Sequence, residues 1–91
     1  MDLDIRHEEG KRYYIQFDNQ RAELTYRENG KTRDFRHTSV PEEQRGLKVA
    51  EKLVRHALDD TMKNGYKFTP TCPYVKRFVE KHPEYKKGLA S

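Results

Sequence analysis

Two stretches of sequence decide the fold: HTSVPEEQRGLKVA at residues 37–50 and PTCPY at residues 70–74. The first is typical of a strand that ends in a short polar loop and passes into a helix start rich in backbone N–H groups. The second places the single cysteine, Cys72, where another strand gives way to another helix. A helix start that suits anions, next to a thiol, predicts a site that holds a phosphorylated acyl carrier beside a nucleophile.

The residues that precede the first stretch follow the two-residue period of β-strands. Apolar and polar side chains alternate over much of residues 12–40, which predicts an antiparallel meander. Within it, Asn29-Gly30 is a strong hairpin signal, because both central positions of the favoured two-residue turn need a positive φ. Ile5 suggests an additional edge strand.

After Pro41 the apolar residues recur every three or four positions, which predicts a helix of about eighteen residues that Asn64-Gly65 closes. A short strand follows at residues 66–69, and a second helix begins near Pro73. A strand, a helix and a strand make a right-handed crossover between parallel strands. The fold class is therefore α+β: an antiparallel meander plus one parallel crossover strand, with two main helices. The polar tail from Tyr85 is expected to fray.

Size and composition limit the function classes. Residues 1–91 fit a single domain. Only 33% of the residues are hydrophobic, but six tyrosines and four phenylalanines favour a compact core over disorder. One cysteine excludes an intrachain disulfide, and the charged first residues predict no signal peptide. With no apolar run near the roughly 18 residues that span a bilayer, we expect a cytoplasmic monomer without a membrane partner.

The net charge of +4 and the isoelectric point of about 9.2 fit an anionic partner, such as a nucleotide-bearing cofactor or a nucleic acid. The alternative is solubility alone, because 15 acidic residues are mixed with 19 basic ones. The basic residues are spread along the chain and form no single stripe, which disfavours nucleic-acid binding.

The helix start around Gly46 is the first candidate site. Several N–H groups at a helix N-terminus lack partners within the helix, and they attract anions. Gly46 lets a ligand approach the backbone, while Arg45 and Lys48 add positive charge. These features predict a diphosphate site; the alternative is an ordinary helix start with charged flanks.

Cys72 is the second candidate. A helix N-terminus stabilises a thiolate, and His37, at the end of the neighbouring parallel strand, is placed to take its proton. Tyr74 is a candidate proton donor to a leaving thiolate. The alternatives are an inert buried cysteine, a histidine bonded to backbone and a half-buried tyrosine. The remaining histidines show no metal-ligand spacing with Cys72, so no metal site is predicted.

The chain resembles the small GNAT-like N-acetyltransferase family. The resemblance rests on Val40-Pro41, on residues 45–50 and 70–74, and on His-Pro-Glu-Tyr at residues 82–85. It implies a compact GNAT-like fold, the acyl-CoA N-acyltransferase fold, in which the two parallel strands splay apart around the pantetheine of acetyl-CoA. It also implies transfer of the acetyl group to an amine acceptor, with Cys72 near the thioester.

The resemblance assigns the backbone of the third meander strand to the pantetheine and the N–H groups of residues 45–50 to the diphosphate. The cofactor-binding residues it implies are Thr38, Ser39, Val40, Gln44, Arg45, Gly46, Leu47, Lys48, Val49 and Ala50. The chain departs from the family at Lys48, where a second glycine is usual.

Three functions follow from these observations. The first is an N-acetyltransferase that uses acetyl-CoA, with Cys72 as nucleophile or as proton donor. The second, suggested by Lys48, is a module that binds coenzyme A without turnover. The third is a small basic nucleic-acid-binding domain.

Overall fold

A computed structural model describes residues 4–90, apart from the side chains of residues 46 and 47. The strands and α-helices of this part of the chain are, in order, β1 (Ile5–Glu8), β2 (Arg12–Gln16), β3 (Arg21–Asn29), β4 (Thr32–Ser39), α1 (Val49–Lys63), β5 (Lys67–Pro70) and α2 (Pro73–Lys81). A 3-10 helix, Glu42–Leu47, precedes α1, and another, Pro83–Gly88, follows α2.

The strands form one mixed sheet in the order β1-β2-β3-β4-β5. The first four strands pair antiparallel, and β4 pairs with β5 in parallel across the α1 crossover. The predicted α+β class, the meander, the parallel crossover strand and the edge strand at Ile5 are confirmed. Pro73 begins α2, as its fixed φ at a first helical position suggested.

The hairpin between β3 and β4 differs from the prediction. Asn29 pairs with Thr32, so the two-residue turn is Gly30-Lys31 and Asn29 is the last residue of β3. Gly30 alone supplies a positive φ, of 62°. The prediction that both Asn29 and Gly30 occupy the turn was wrong by one residue, because Asn29 still contributes to the ladder.

The start of α1 also differs from the prediction. The helix has 15 residues and begins at Val49, later than the apolar period suggested. Lys48 separates the 3-10 helix from α1, and its backbone is left-handed, with a φ of 56° and a ψ of 33°. The first α1 hydrogen bond runs from the Lys52 N–H to the Lys48 carbonyl, at 3.1 Å.

Both helices pack on the same face of the sheet. Alternate strand residues and one side of each helix form a single core. Its buried hydrophobic members are Tyr13, Ile15, Ala22, Leu24, Tyr26, Phe35, Val49, Leu53, Val54, Ala57, Leu58, Phe68, Cys72, Val75, Phe78, Val79 and Tyr85. The expected fraying of the tail is wrong for the described residues, because Tyr85 is buried and the Ala90 N–H donates to the Phe68 carbonyl at 2.9 Å.

A charged residue is buried at the start of β4. The Arg33 side chain is 2% exposed. Its Nη1 donates to the Tyr13 hydroxyl at 2.6 Å and to the Thr61 hydroxyl at 3.2 Å, and its Nε donates to Glu28 at 3.3 Å. The guanidinium carbon also lies 4.4 Å from the ring centre of Tyr66. These contacts compensate the loss of water around the charge.

A β-bulge interrupts β4 at its middle. Phe35 pairs with Tyr26 and His37 pairs with Thr25, so Arg36 is an extra residue in β4. Successive side chains on a strand point to opposite faces of the sheet, so the extra residue exchanges the odd-numbered for the even-numbered residues on the helix side. Arg33 and Phe35 face the helices before the bulge, and after it Thr38 does.

Neither helix within residues 4–90 has the length and hydrophobicity that crossing a bilayer requires.

Candidate active site

The two parallel strands separate after Phe35. That residue pairs with Pro70, the last residue of β5, and its carbonyl accepts the Cys72 N–H at 2.8 Å. β4 continues to Ser39, beside β3 alone. The edge of β4 that faced β5 is therefore left without a strand partner beyond the bulge in the described chain, as the family resemblance implied.

A cavity of about 320 Å³ lies where the strands separate. This volume is at the lower end of the range for small-molecule sites. Both apolar and basic side chains contribute to its walls. The lining residues are Thr38, Val40, Arg45, Lys48, Ala50 and Tyr74. The structure thus brings six of the predicted site residues to one cavity.

The start of α1 forms one end of this cavity. No side chain of the described residues caps the helix. The first N–H that donates within the helix belongs to Lys52. The N–H groups of residues 49–51 therefore have no carbonyl partner in α1 and can bind an anion. Lys48 and Arg45 place positive charge beside them. The Arg45 Nε also donates to the Val40 carbonyl, at a long 3.4 Å, so a ligand could displace this bond.

Cys72 lies at the other side of the site, directly before the first turn of α2. Its side chain is buried, with 4% exposure, and its sulfur is 3.2 Å from the Thr38 hydroxyl. Either atom of this pair can donate the hydrogen bond. The thiol is therefore oriented by a partner in β4 at the point where the two strands part.

His37 does not lie against Cys72. The histidine is exposed and pairs with Thr25, whose neighbours Leu24 and Tyr26 turn toward the helices. The bulge at Arg36 therefore turns His37 to the sheet face that the helices leave uncovered. The predicted proton transfer from Cys72 to His37 lacks geometric support, and Thr38 takes the position beside the sulfur.

Tyr74, the predicted proton donor, is half-buried in the first turn of α2. Burial, followed by the nearby charge of Glu51, raises the pKa of its hydroxyl. The hydroxyl is therefore protonated at neutral pH and cannot act as a base, and the raised pKa makes it a weaker acid than an exposed tyrosine.

The other predicted residues surround the cavity without lining it. Ser39 is exposed, and Val49 is fully buried in the core. The Gln44 N–H donates to the Pro41 carbonyl at 2.9 Å, which closes the turn before the helix. Gly46 and Leu47, whose backbone N–H groups were predicted to bind the cofactor, lie at the end of the 3-10 helix, and the Leu47 side chain lies outside the described part of the structure.

The side-chain contact of Thr38 with the thiol was missed by the sequence analysis, which gave this residue a backbone role only. Regular alternation from Phe35 would place His37 on the helix side of the sheet, beside the thiol. The bulge, which the sequence does not indicate, places Thr38 there instead. Within residues 4–90, no group of three or more His, Cys, Asp or Glu side chains is placed to hold a metal ion.

Comparison with known proteins gives consistent results. Residues 12–88 match the family model described as GCN5-related N-acetyl-transferase. Protein NATD1 of Danio rerio is 34% identical over 89 residues, covering 91% of this chain and 81% of the relative. Protein NATD1 of Homo sapiens is 38% identical over 64 residues, covering 69% of this chain and 57% of the relative.

The fold also matches a solved structure. A solution NMR structure from Staphylococcus aureus, described provisionally as a GCN5-like N-acetyltransferase, superimposes with a TM-score of 0.76 at 28% identity. The match covers 98% of this chain and 89% of that one. The predicted GNAT-like fold is confirmed.

Proposed function

Because the chain belongs to the GCN5-related N-acetyltransferase family, we propose that it transfers an acetyl group from acetyl-CoA to an amine acceptor. The observation that carries this proposal is the separation of β4 from β5, which leaves a cavity whose walls include Thr38, Lys48 and Tyr74. The cavity offers anion-binding N–H groups and an open strand edge, and Thr38 in its wall contacts the buried Cys72 thiol. These are the three features that the parts of acetyl-CoA require.

The cofactor fits the residues present. The N–H groups of residues 49–51, together with Arg45 and Lys48, suit the diphosphate. The free edge of β4 at Thr38–Val40 suits the amide groups of the pantetheine, since an exposed edge offers backbone donors and acceptors. Acetyl-CoA supplies an activated thioester carbonyl when bound. The sulfur end would lie toward Thr38 and Cys72.

Two routes use Cys72 differently. In the first, the Cys72 thiolate attacks the thioester carbonyl and CoA leaves as a thiolate, which takes up the proton that the thiol lost. The neutral amine then attacks the acetyl-cysteine, its proton passes to solvent and Cys72 is released as the thiolate. In the second, the neutral amine attacks the thioester directly and loses a proton to solvent, while Cys72 or Tyr74 gives its proton to the departing CoA thiolate and regains one from solvent. The Thr38 hydroxyl serves both routes, because it can donate to a thiolate or accept from a thiol.

His37 takes a different role in this arrangement. Its exposed ring on the uncovered sheet face is accessible to an amine that approaches from that side. We therefore assign any base function of His37 to the amine acceptor and not to the thiol.

The proposal is tested by calorimetric titration with acetyl-CoA and CoA, together with a transfer assay over a broad panel of amines. Binding with transfer supports it. Binding without transfer would favour the module that binds coenzyme A without turnover, for which the strained Lys48 is a specific reason. Absence of both would refute the proposal.

The role of the thiol is tested by Cys72→Ala. We expect kcat to fall by roughly 10²-fold or more, which is typical when a positioned proton-transfer group is lost. Thr38→Val, which removes the hydroxyl at nearly constant volume, should lower kcat with little change in the affinity for acetyl-CoA, because it removes the partner of the sulfur. Ser39→Ala is the matched control, because Ser39 is exposed next to Thr38. Full activity of Cys72→Ala would remove any essential role for the thiol.

A further inference from the structure

A further cavity lies at the end of the sheet opposite the candidate active site, and we call it the distal cavity. It has a volume of about 320 Å³ and lies between the end of α1, the start of β5 and the final 3-10 helix. This volume leaves room for one large apolar side chain. The lining residues are Met62, Gly65, Tyr66, Lys67, Lys87 and Gly88.

The distal cavity has an apolar wall where α1 meets the final 3-10 helix. Gly88 is buried, and a Cβ built on it would lie 2.8 Å from the Met62 Cγ, so the Met62 side chain lies directly against the glycine backbone. Met62 is itself half-buried. Because a methionine side chain is flexible and polarisable, it adapts to the shape of an apolar group that packs on it.

Three lysines from separate segments of the chain meet at the rim of the distal cavity. The Lys67 backbone N–H donates to the Lys31 carbonyl at 2.9 Å, and the Lys67 Nζ donates to the Lys87 carbonyl at 3.0 Å. The Lys31 Nζ lies 5.0 Å from the ring centre of Tyr66, which lines the cavity. All three lysines are exposed. The fold therefore gathers here positive charges that are far apart in the sequence.

None of these three lysines forms an ion pair with a carboxylate in the described chain. The Lys67 ammonium keeps two N–H donors after its bond to the Lys87 carbonyl. The end of α1 does not require these lysines, because the N–H groups of residues 64–66 bond to its last carbonyls and Lys63 complements its dipole. The three charges are therefore available to an anionic ligand.

The chemistry of the distal cavity favours an acidic peptide over a nucleic acid. Proteins that bind single-stranded nucleic acids stack bases on exposed aromatic rings. The ring of Tyr66 already has the Arg33 guanidinium carbon 4.4 Å from its centre, in addition to the ammonium of Lys31. An apolar side chain suits the space beside Met62, and carboxylates that flank it on a peptide suit the lysines on the rim.

We propose that the distal cavity docks an acidic peptide segment of a partner protein. One large apolar side chain of the segment enters the cavity, and its flanking carboxylates pair with Lys31, Lys67 and Lys87. Exposed ion pairs contribute little each and are screened by salt, so the binding is weak and depends on ionic strength. The buried apolar side chain adds affinity that salt does not screen. The site is separate from the acetyl-CoA cavity and does not depend on the proposed function.

The test is an NMR titration of the full chain at low salt with a synthetic peptide in which one phenylalanine is flanked on each side by two glutamates. We expect the backbone N–H signals of Gly65, Tyr66 and Gly88 to shift until the site is saturated. A second peptide, with serine in place of the phenylalanine, should bind at least tenfold more weakly, because burial of a large apolar side chain is worth roughly tenfold or more in affinity.

The triple variant Lys31→Gln/Lys67→Gln/Lys87→Gln should bind the phenylalanine peptide roughly tenfold more weakly, since each exposed ion pair contributes up to a few-fold in affinity. The matched control is Lys11→Gln/Lys52→Gln/Lys76→Gln, which removes three charges from exposed positions outside the cavity. It should retain the affinity of the parent. Urea unfolding of both triple variants shows that each is folded.

Equal losses of affinity in the two triple variants would overturn the proposal, since the effect would then reflect net charge alone. Equal binding of the two peptides would overturn it as well, because the cavity would have no part in the contact. So would the absence of any shift with the phenylalanine peptide. A single-stranded oligonucleotide that binds more tightly than the peptide, and that loses affinity in the first triple variant, would assign this surface to nucleic acid instead.

Discussion

At its first residues β4 has a strand on each side: Thr32 pairs with Asn29 of β3 and with Lys67 of β5. Arg33 next to it fills the space under the helices and bonds to three side chains. At its last residues the same strand has β3 on one side and a cavity on the other. We call these the closed end and the open end of β4.

The comparison shows how a small domain can leave backbone groups available for a ligand. An unpaired strand edge and an uncapped helix start weaken a fold. In this chain they lie at one end, while a buried network of hydrogen bonds and ion pairs holds the other. The parallel pairing of β4 with β5 is thus anchored at the closed end, and the strands can separate beyond Phe35 without loss of the sheet.

The largest effect should come from Arg33→Met, which breaks the closed end. Loss of the guanidinium leaves the buried Thr61 hydroxyl without its partner and removes an ion pair from Glu28, while the Tyr13 hydroxyl keeps its bond to Asp60 at 2.6 Å. We expect the free energy of unfolding in urea to fall by about 2–4 kcal/mol, because an unsatisfied buried polar group costs about 1–3 kcal/mol and the packing of the long side chain is also disturbed. Arg36→Gln is the control, because that arginine is exposed and forms a surface ion pair worth about 0–1 kcal/mol. Equal losses in the two variants would contradict the special role of the closed end.

Gly88→Ala should also weaken the closed end. A Cβ at this position would lie 2.8 Å from Phe68 Cε2 of β5 and would meet Met62 of α1. Because these atoms belong to the packed core, we expect a loss of about 1–3 kcal/mol in the free energy of unfolding. The exposed neighbour Lys87→Ala should leave the urea midpoint nearly unchanged. An unchanged midpoint for Gly88→Ala would mean that the final 3-10 helix moves aside freely.

Lys48→Gly should strengthen the open end. Lys48 is the only residue other than glycine with a positive φ in the described chain. Since a side chain in the left-handed region costs roughly 1–2 kcal/mol and the flexibility of glycine offsets part of the gain, we expect about 1 kcal/mol of added stability. Lys52→Gly, in the interior of α1, should lose about 1 kcal/mol instead. The same sign for both variants would argue against strain at Lys48.

The smallest expected effect is a loss of stability at acid pH, caused by His7 near the closed end. His7 stacks on Tyr13 with ring centres 4.0 Å apart, and its Nε2 is 2.6 Å from the Tyr26 hydroxyl. Burial, followed by the positive charge of Arg33, lowers the pKa of His7, although Asp60 opposes the shift. The folded protein therefore binds this proton less readily than the unfolded chain does.

It follows that the contribution of His7 to stability is complete above its ordinary pKa of about 6.5 and decreases as the pH falls below that value. Because one proton is involved, the free energy of unfolding should change by less than about 1.4 kcal/mol per pH unit. Urea midpoints at pH 7.5 and 5.5 measure the effect, to be compared with those of His7→Gln. If that variant loses as much stability on acidification as the parent, other groups are responsible.

Local periodicity was enough to predict most of the fold. The alternation around Tyr13 and Ile15 gave the meander, and the stripe that includes Leu53 and Ala57 gave α1. The pairing of β4 with β5 followed from the crossover rule. These features depend on neighbouring residues and on the general geometry of strands and helices.

The parts of the site that were not predicted depend on single residues that break a local rule. Nothing in the alternation indicates that Arg36 is an extra residue, so His37 was expected at the thiol in place of Thr38. Lysine does not favour the left-handed region, so Lys48 gave no sign that α1 begins after it. An arginine in a strand is commonly exposed, so the burial of Arg33 was also missed.

The extra residue at Arg36 makes β4 tolerant of a change in length at this point. Tyr26 is opposite Phe35 and Thr25 is opposite His37, so loss of the Arg36 codon would leave a regular ladder in which Thr38 is still opposite Leu24. The imidazole of His37 would stay on the uncovered face of the sheet, and the hydroxyl of Thr38 would stay beside the sulfur. A bulge therefore lets a strand gain or lose one residue without exchanging the chemical group beside the thiol.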